Sequence, residues 1–340
     1  MGILSHDMCL LQAFFVFSSS FLEILYEIVC AFVILYIIYR SFYQIIYVWL
    51  RLFLQEKRCD LRDVDVKIIE NEVALLCRRA NIVLPSDVSE KMKKMQKEES
   101  SPIAQAILEE LLENAALAEK NGVPICQDTG MAVVRILLGQ EVHFTGGDVV
   151  EAIHRGVRKG YQEGYLRASV VADPIIRENT KDNTPAVILW DMVPGNKVDI
   201  TVAPKGFGSE NMSSLTMLSP SQGIEGIKEA VISTVKKAGP NPCPPIVLGI
   251  GLGGTMDMAA KLSKLALMRP LEEQSELSHI RDLEQELLEE INRLDIGPSG
   301  LGGRTTALSV RILTYPTHIA GLPVAVNVSC HVTRHAHICL

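Results

Sequence analysis

A sharp change of composition near Leu61 divides the chain into two unlike parts. Residues 1 to about 55 are strongly apolar and aromatic, whereas the later residues alternate apolar and charged positions as an ordinary globular enzyme does. This change favours two separate parts. We expect an apolar leader over residues 1–58 and one globular domain over residues 61–340.

The leader has more than one interpretation. Its run from Ile28 to Tyr39 has 12 apolar residues, fewer than the roughly 20 that span a bilayer. Extending the run backwards includes Glu23 and Glu27, which are costly at mid-membrane. No early basic stretch or small-residue cleavage site marks a secretory signal. Membrane contact through residues 1–55, and a leader absent from the mature protein because an upstream start codon was chosen, are both left open.

Net charge and cysteine spacing exclude several classes of protein. The net charge of −7 argues against a nucleic-acid-binding protein, which usually has a basic face. The eight cysteines form no CxxC pair and no zinc-finger spacing, so they indicate neither a zinc array nor a disulfide scaffold. Free thiols in an acidic globular chain indicate a reducing compartment, and we expect the cytoplasm.

The second part of the chain shows the periodicities of helices and strands in mixed order. Ser101 and Pro102 suit the start of a helix, and Asn121 followed by Gly122 suits its end. Helices are predicted over residues 64–80, 86–96, 101–120, 147–163, 221–238, 255–267 and, charged and exposed, 272–293; strands are predicted over residues 131–138, 186–190, 197–203, 246–251, 305–313 and 322–328. The predicted fold class is α+β, with mixed helices and sheet and with helices grouped at the front.

Three cysteines lie in loop sequences that contain neighbouring proline, glycine or histidine. Cys126, Cys243 and Cys330 are 117 and 87 residues apart, so only the fold can bring them together. Proline and glycine beside a thiolate fix the direction of its sulfur and leave backbone N–H groups free to bond to it, which tunes a cluster. A single cysteine is more often a buried hydrophobe than a ligand. Three in such loops favour a ligand set without establishing it.

Three other side chains are candidates for chemistry. Asp128 lies two residues after Cys126, so one turn could present a sulfur and a carboxylate to the same cavity, although aspartate often bonds only to its own turn. His318 lies between two predicted strands and could transfer protons near neutral pH, although a lone loop histidine is more often structural. Arg167 could bind a carboxylate through two hydrogen bonds, although an exposed arginine is the simpler interpretation.

The glycine clusters do not indicate a nucleotide site. Residues 249–254 contain the GxGxxG spacing between a strand and a helix, but the acidic ribose ligand expected about 20 residues later falls in a charged helix. No Walker lysine follows any glycine run. The loops over residues 205–211 and 297–306 are consistent with close approach of the backbone to a ligand or with tight turns.

Several long motifs in the same order resemble the N-terminal region of class I fumarases. They are residues 124–130 (PICQDTG), 204–211 (PKGFGSEN), 243–255 (CPPIVLGIGLGGT), 301–306 (LGGRTT), 317–330 (THIAGLPVAVNVSC) and 333–335 (TRH). The resemblance covers residues 61–335, and the leader has no counterpart in it. Tartrate dehydratase α subunits share the cysteine loops, while the GSEN and GGRTT stretches look more like fumarase.

The resemblance implies a cofactor and a set of site residues. Cys126, Cys243 and Cys330 would ligate three irons of a [4Fe–4S] cluster, and the fourth iron, open to substrate, would act as a Lewis acid. By the same resemblance Asp128 and His318 are catalytic, and Gln127, Arg167, Gly206 and Gly208 bind substrate.

The resemblance also implies partners. Class I enzymes have a C-terminal domain that two-subunit versions carry on a separate β chain, so this chain looks like an α subunit in an oligomer, acting on a small dicarboxylate. The reaction implied is the reversible hydration of fumarate to malate. A tartrate dehydratase α subunit is the nearest alternative. A non-catalytic cluster-binding or membrane-tethered interaction subunit is the alternative from another class.

Overall fold

The chain consists of two units that are described separately. The computed structural model describes residues 4–55 and 61–340, with side chains for residues 23–50 and 61–340. The contacts between residues fall into two groups, which divide the chain into the units Met1–Leu61 and Arg62–Leu340.

The first unit is one long helix, α1 (Leu4–Gln55). Its segment Glu23–Leu50 has 28 residues and is long and apolar enough to cross a membrane, by length and composition alone, a test that a signal sequence near the N-terminus also passes. The predicted 12-residue run is therefore part of a longer apolar segment. Its charged residues are Glu23, Glu27 and Arg40, and apolar residues resume in the turn after Arg40.

Three helices lie near the start of the second unit, and the last of them has the start and stop signals expected from the sequence. They are α2 (Val66–Ile82), α3 (Ser86–Glu98) and α4 (Pro102–Asn121). The Ser101 hydroxyl accepts a hydrogen bond from the Ala104 N–H at the start of α4, and Gly122 ends this helix in the left-handed conformation at φ 66°. The predicted boundaries of α4 are confirmed.

Two four-stranded sheets follow, and both mix parallel and antiparallel pairs. The remaining elements are β1 (Arg62–Asp65), β2 (Met131–Gly139), β3 (Val142–Thr145), α5 (Val149–Glu163), β4 (Val187–Val193), β5 (Val198–Lys205), α6 (Phe207–Glu210), β6 (Ser214–Leu218), α7 (Gly223–Ala238), β7 (Ile246–Gly253), α8 (Met256–Ala266), α9 (Ser278–Asn292), β8 (Ala307–Tyr315), β9 (Leu322–Ser329) and β10 (Ala336–Cys339). The first sheet has the order β10-β5-β2-β4 and the second β6-β9-β7-β8, while β1 pairs with β3. The α+β class is confirmed.

Each large sheet has its own hydrophobic core. The sheet of β6 to β9 packs against α7 and α9 through side chains such as Leu248 and Leu287, and the sheet of β2, β4, β5 and β10 packs against α2 and α5 through Ile136 and Ile153. The prediction that residues 272–293 form one exposed helix was wrong. The helix begins only at Ser278, and its apolar face is buried in the first of these cores.

Glycine in β7 allows a helix to lie close to the strand. A Cβ atom on Gly251 would be 2.0 Å from the Ala259 carbonyl oxygen of α8, and one on Gly249 would be 2.1 Å from that of Ser263. Both glycines lie inside the strand, so the GxGxxG spacing reflects helix–strand packing instead of a phosphate-binding turn.

We expect Gly251→Ala to destabilise the protein strongly, because the added methyl group meets backbone that cannot rotate away. The expected loss is about 3 kcal/mol in the free energy of unfolding, measured by urea titration. Gly321→Ala is the matched control, since its Cβ has no neighbour nearer than 3.9 Å, and it should change stability by less than about 0.5 kcal/mol. Equal stability of the two variants would contradict this packing account.

Candidate active site

Pairing of β7 with β9 brings two of the three cysteines together. The strands are antiparallel with Val247 opposite Ser329, so Cys243, just before β7, and Cys330, just after β9, lie at the same end of the sheet. The backbone N–H of His331 reaches the Cys243 carbonyl oxygen at 3.4 Å, and its Nδ1 lies 3.0 Å from the same oxygen. Cys243 is exposed and Cys330 is half-buried.

The third cysteine joins them through the loop that precedes β2. Cys126 and Cys330 both pack against the small apolar cluster of Ala118, Ile125 and Val332, and the Arg334 Nη2 group donates a hydrogen bond to the Asp128 carbonyl oxygen. Burial raises the pKa of Cys243, and the nearby Cys126 raises it further. Burial also raises the pKa of Cys330, although the positive charge of Arg334 opposes that shift. All three predicted thiols therefore meet in one place.

The loop over residues 126–130 is tightly held by side chains from other elements. The Tyr161 hydroxyl of α5 lies 2.8 Å from the Thr129 carbonyl oxygen and 3.0 Å from that of Gly130. The Thr129 hydroxyl accepts from the Arg167 N–H at 2.9 Å and donates to its carbonyl oxygen at 3.2 Å. This link places Arg167, one of the predicted site residues, beside the cysteine loop. The Arg167 side chain is exposed and forms no ion pair within residues 61–340.

Asp128 connects the Cys126 loop to the predicted glycine turn. Its Oδ1 accepts from the Gly130 N–H at 3.0 Å, as an aspartate turn does, and its Oδ2 accepts from the Phe207 N–H at 2.9 Å. A Cβ on Gly206 would lie 3.0 Å from that Oδ2, and the site of a Cβ on Gly208 is 3.9 Å from the Asn241 carbonyl oxygen. The turn at residues 206–208 therefore lies between the loops of the first and second cysteines.

Gln127 also belongs to this assembly. Its side chain is exposed, and its Oε1 accepts a hydrogen bond from the Cys126 Sγ at 3.2 Å.

His318 lies at the opposite end of the same sheet. The Thr317 hydroxyl donates to the Gly254 carbonyl oxygen, which follows the last residue of β7, whereas Cys243 precedes its first. Ser329 is seven residues after Leu322 in β9, and the distance between these two ends of the strand is roughly 23 Å. His318 is exposed, and its Nδ1 accepts from the Ala320 N–H, so its neutral ring carries the proton on Nε2. A single chain does not bring His318 to the cysteines.

A buried charged cluster lies near the cysteines, and the sequence analysis did not predict it, although Lys205 and Glu210 belong to the 204–211 motif. Lys205 is 8% exposed, and its Nζ bonds to the Ser209 hydroxyl at 2.9 Å and pairs with Glu210 at 3.2 Å. Glu210 also pairs with Lys264 at 2.6 Å and accepts from the Asn327 amide. Burial lowers the pKa of Lys205 to about 8, with the attraction of Glu210 opposing this and the repulsion of Lys264 adding to it.

Glu99 holds the loop that follows α9, and it too was missed. Its carboxylate accepts from the N–H groups of Arg304 and Thr305 and from the Thr305 hydroxyl, at 3.2, 2.9 and 2.7 Å. Burial raises the pKa of Glu99, but these bonds and those from Ser100 and Ser101 outweigh burial and hold its pKa below the usual 4.5. The same loop contacts the residue that follows Cys243, since the Ser299 N–H donates to the Pro244 carbonyl oxygen. A partner 205 residues away in sequence cannot be found by local pattern.

The donor set is of the type that binds iron–sulfur groups. Three cysteine thiols meet at the site, and thiolates are the usual protein ligands of such groups. In the part of the chain with placed side chains, no three histidine, cysteine, aspartate or glutamate residues converge as ligands of one ion. The thiolates of a cluster bind different irons, so they stand further apart than ligands of one ion.

An α+β domain that brings three cysteine loops together is compatible with a thiolate-bound metal group, and sequence comparisons identify the family. The fumarate hydratase (Fumerase) family matches residues 70–339. A Methanocaldococcus jannaschii protein provisionally named L(+)-tartrate dehydratase subunit alpha is 45% identical over 274 residues, 79% of this chain and 96% of its own. The L(+)-tartrate dehydratase subunit alpha of Escherichia coli K12 is 29% identical over 272 residues, 79% of this chain and 88% of its own.

The chain therefore belongs to the fumarate hydratase (Fumerase) family. It is an enzyme of the hydro-lyase class.

We expect Glu99→Gln to reduce the free energy of unfolding by about 2 kcal/mol at pH 7, since charge-assisted hydrogen bonds are lost from a buried site. Because the pKa of Glu99 is lowered on folding, its contribution is complete above pH 4.5 and is lost as the pH falls through the folded value. The difference between wild type and variant should shrink on acidification, measured by urea unfolding between pH 3 and 7.

The matched control for this prediction is Glu98→Gln, because Glu98 is the exposed neighbour of Glu99. Its stability should follow wild type at every pH. A pH-independent deficit in Glu99→Gln would contradict the assignment of the stabilisation to the ionised carboxylate.

Proposed function

We propose that this chain is the cluster-bearing α subunit of an enzyme that interconverts fumarate and malate. Cys126, Cys243 and Cys330 are proposed as ligands of a [4Fe–4S] cluster. The observation that carries the proposal is the meeting of these three cysteine loops at one end of the β7–β9 pair, although they are far apart in sequence. When bound, a cluster with one iron free of protein ligands supplies a Lewis acid for a substrate hydroxyl.

The chain's own residues have separate proposed roles around that centre. The exposed guanidinium of Arg167 can bind a substrate carboxylate through two hydrogen bonds. The Gln127 amide and the backbone at Gly206 and Gly208 can orient the substrate from two sides of the site. Both carboxylate oxygens of Asp128 already accept backbone hydrogen bonds, so we assign it to proton transfer through a partner that it positions.

His318 requires a different account, because it lies far from the cysteines of its own chain. In the proposed reaction it orients substrate or moves a proton from Nε2. Since a distance of roughly 23 Å separates the two ends of β9, a second chain has to bring it to the site. This agrees with the expectation of an oligomer.

A β subunit is the proposed partner. The relatives that cover most of this chain are named as alpha subunits, and each is matched along nearly its whole length. We propose that a separate chain supplies the further carboxylate-binding groups and that this polypeptide alone is inactive.

Tartrate is the second candidate substrate. It is favoured by the names of the relatives, which are tartrate dehydratase subunits. Fumarate and malate are favoured by the family description and by the GSEN and GGRTT stretches. Malate and tartrate both carry two carboxylates and a hydroxyl on the carbon next to a carboxylate. The same polar groups can therefore bind the part that the two molecules share.

We propose the cytoplasm as the location, with membrane association through α1 as an added possibility that rests on its length and composition. A native leader in the membrane fraction, with no hydratase activity beside the β partner, would favour the interaction-subunit alternative.

We expect anaerobic reconstitution with iron and sulfide to give about four irons per chain, read by bound-iron analysis and visible absorption. Cys243→Ser should lose most of that iron, because serine supplies no thiolate. Cys339→Ser is the matched control, since Cys339 is exposed in β10, and it should retain the iron. A folded wild-type protein without iron would reject the cluster proposal.

We expect turnover only when the reconstituted chain is combined with its β partner. Malate and L(+)-tartrate are offered separately, and the formation of fumarate or oxaloacetate is followed. The preferred substrate should exceed the other by at least about 100-fold in kcat/KM, because a missing or extra hydroxyl leaves a buried polar group unpaired. Robust turnover by the purified α chain alone would contradict the two-subunit proposal.

A further inference from the structure

The described residues next to Cys330 carry more buried positive than negative charge. Lys205, Lys264 and Arg334 lie around one small cavity of about 20 Å³, whose lining also includes Ser329 and Thr333. Ser329 and Thr333 flank the Cys330 segment, so the cavity lies beside that segment. Among residues 61–340, Glu210 is the carboxylate that forms ion pairs with this group, and it pairs with both lysines.

Arg334 is the cation in this group without an anionic partner. It is 6% exposed, and its Nη2 donates to a neutral acceptor, the Asp128 carbonyl oxygen. Its Nε and Nη1 groups are buried and form no hydrogen bond within residues 61–340, and no carboxylate there lies within ion-pair distance of it. The guanidinium thus has two unused donors in a site where water has little access.

A buried cation without a partner is strongly unfavourable, whereas a buried cation opposite an anion is tolerated. The excess charge therefore indicates that an anionic group is present in the functional protein. The three cysteine ligands supply such a group, because three thiolates carry more negative charge than the core of a [4Fe–4S] cluster cancels. Nearby positive charge also adjusts the reduction potential of a cluster.

We propose that Lys205 and Arg334 are positioning residues that balance the negative charge of the cysteine-bound cluster and retain it in the protein. The proposal rests on the proposed function, since it assumes the cluster. Arg334 lies four residues after Cys330, and its Nη2 group reaches the Asp128 carbonyl oxygen beside the Cys126 loop. Lys205 acts from the end of β5 and holds the following turn through Ser209.

A purely structural role predicts the opposite behaviour of the protein without iron. If Arg334 only ties two loops together, Arg334→Gln should destabilise the iron-free protein. If Arg334 balances the cluster, the iron-free variant should be as stable as wild type or more so, because an unpaired buried charge has been removed. Its cluster should nevertheless be held less well.

The experiment compares wild type, Arg334→Gln, Arg334→Lys, Lys205→Met and the control Lys261→Met, all as full-length chains. Lys261 is a part-buried lysine of α8 that pairs with Asp191 away from the cysteines. For each variant three quantities are measured under anaerobic conditions. They are the urea midpoint of the iron-free protein, the rate of iron loss to a chelator after reconstitution, and the reduction potential of the cluster.

We expect Arg334→Gln and Lys205→Met to lose iron at least about 10-fold faster than wild type. Their potentials should shift to more negative values, because the reduced cluster carries one more negative charge. Arg334→Lys and Lys261→Met should behave as wild type in both readouts. The urea midpoint of iron-free Arg334→Gln should be unchanged or raised.

Wild-type rates and potentials in both charge-removing variants would overturn this inference while leaving the cluster proposal intact. A lower urea midpoint for iron-free Arg334→Gln would also overturn it, in favour of a structural tie. Absence of iron from wild type would instead overturn the proposed function itself.

Discussion

Antiparallel pairing of β7 with β9 is the interaction on which the site depends. The register that places Val247 opposite Ser329 brings the segment before one strand to the segment after the other, and each of these segments carries a cysteine. Shifting one strand by one residue would turn its side chains to the opposite face of the sheet, so the shared core of Leu248, Ile250 and Val326 favours this register. The geometry of the thiols is thus a consequence of ordinary hydrophobic packing two or three residues away.

The loops at this end of the sheet are held before any ligand binds. Cys243 has a positive φ of 54°, a conformation that is unfavourable for residues other than glycine, and the surrounding fold must maintain it. Glu99 holds one neighbouring loop, and Tyr161 and Thr129 hold another. Buried carboxylates and hydroxyl groups from distant elements therefore fix the backbone of these loops. None of these hydrogen bonds uses a cysteine sulfur.

Much of the fold could be predicted from the sequence where the signal is local. The α4 helix has a serine cap and a glycine stop, and β7 is a short apolar run, so both were found within one or two residues. Strands β6 and β10 were missed because they are short and lie at sheet edges, where pairing with a distant strand decides their structure. The start of α9 was misplaced because Glu272 and its neighbours share the charged composition of the true helix.

The candidate site was likewise predictable from the sequence only where the signal is local. The motifs indicated the cysteines, Asp128 and the turn at Gly206, all of which lie together, but they could not indicate where His318 lies relative to them. The TRH motif contains Arg334, but neither Arg334 nor Glu99 could be given a role from local sequence, since their partners lie 206 and 205 residues away. The register of the sheet also has a consequence for the order of events during synthesis. No two of the three cysteines are neighbours in an unfolded chain, so the proposed cluster requires the strands to pair before all three ligands can bind it. Under that proposal the newly made protein passes through a stage in which it is folded and its three thiols lie together without iron.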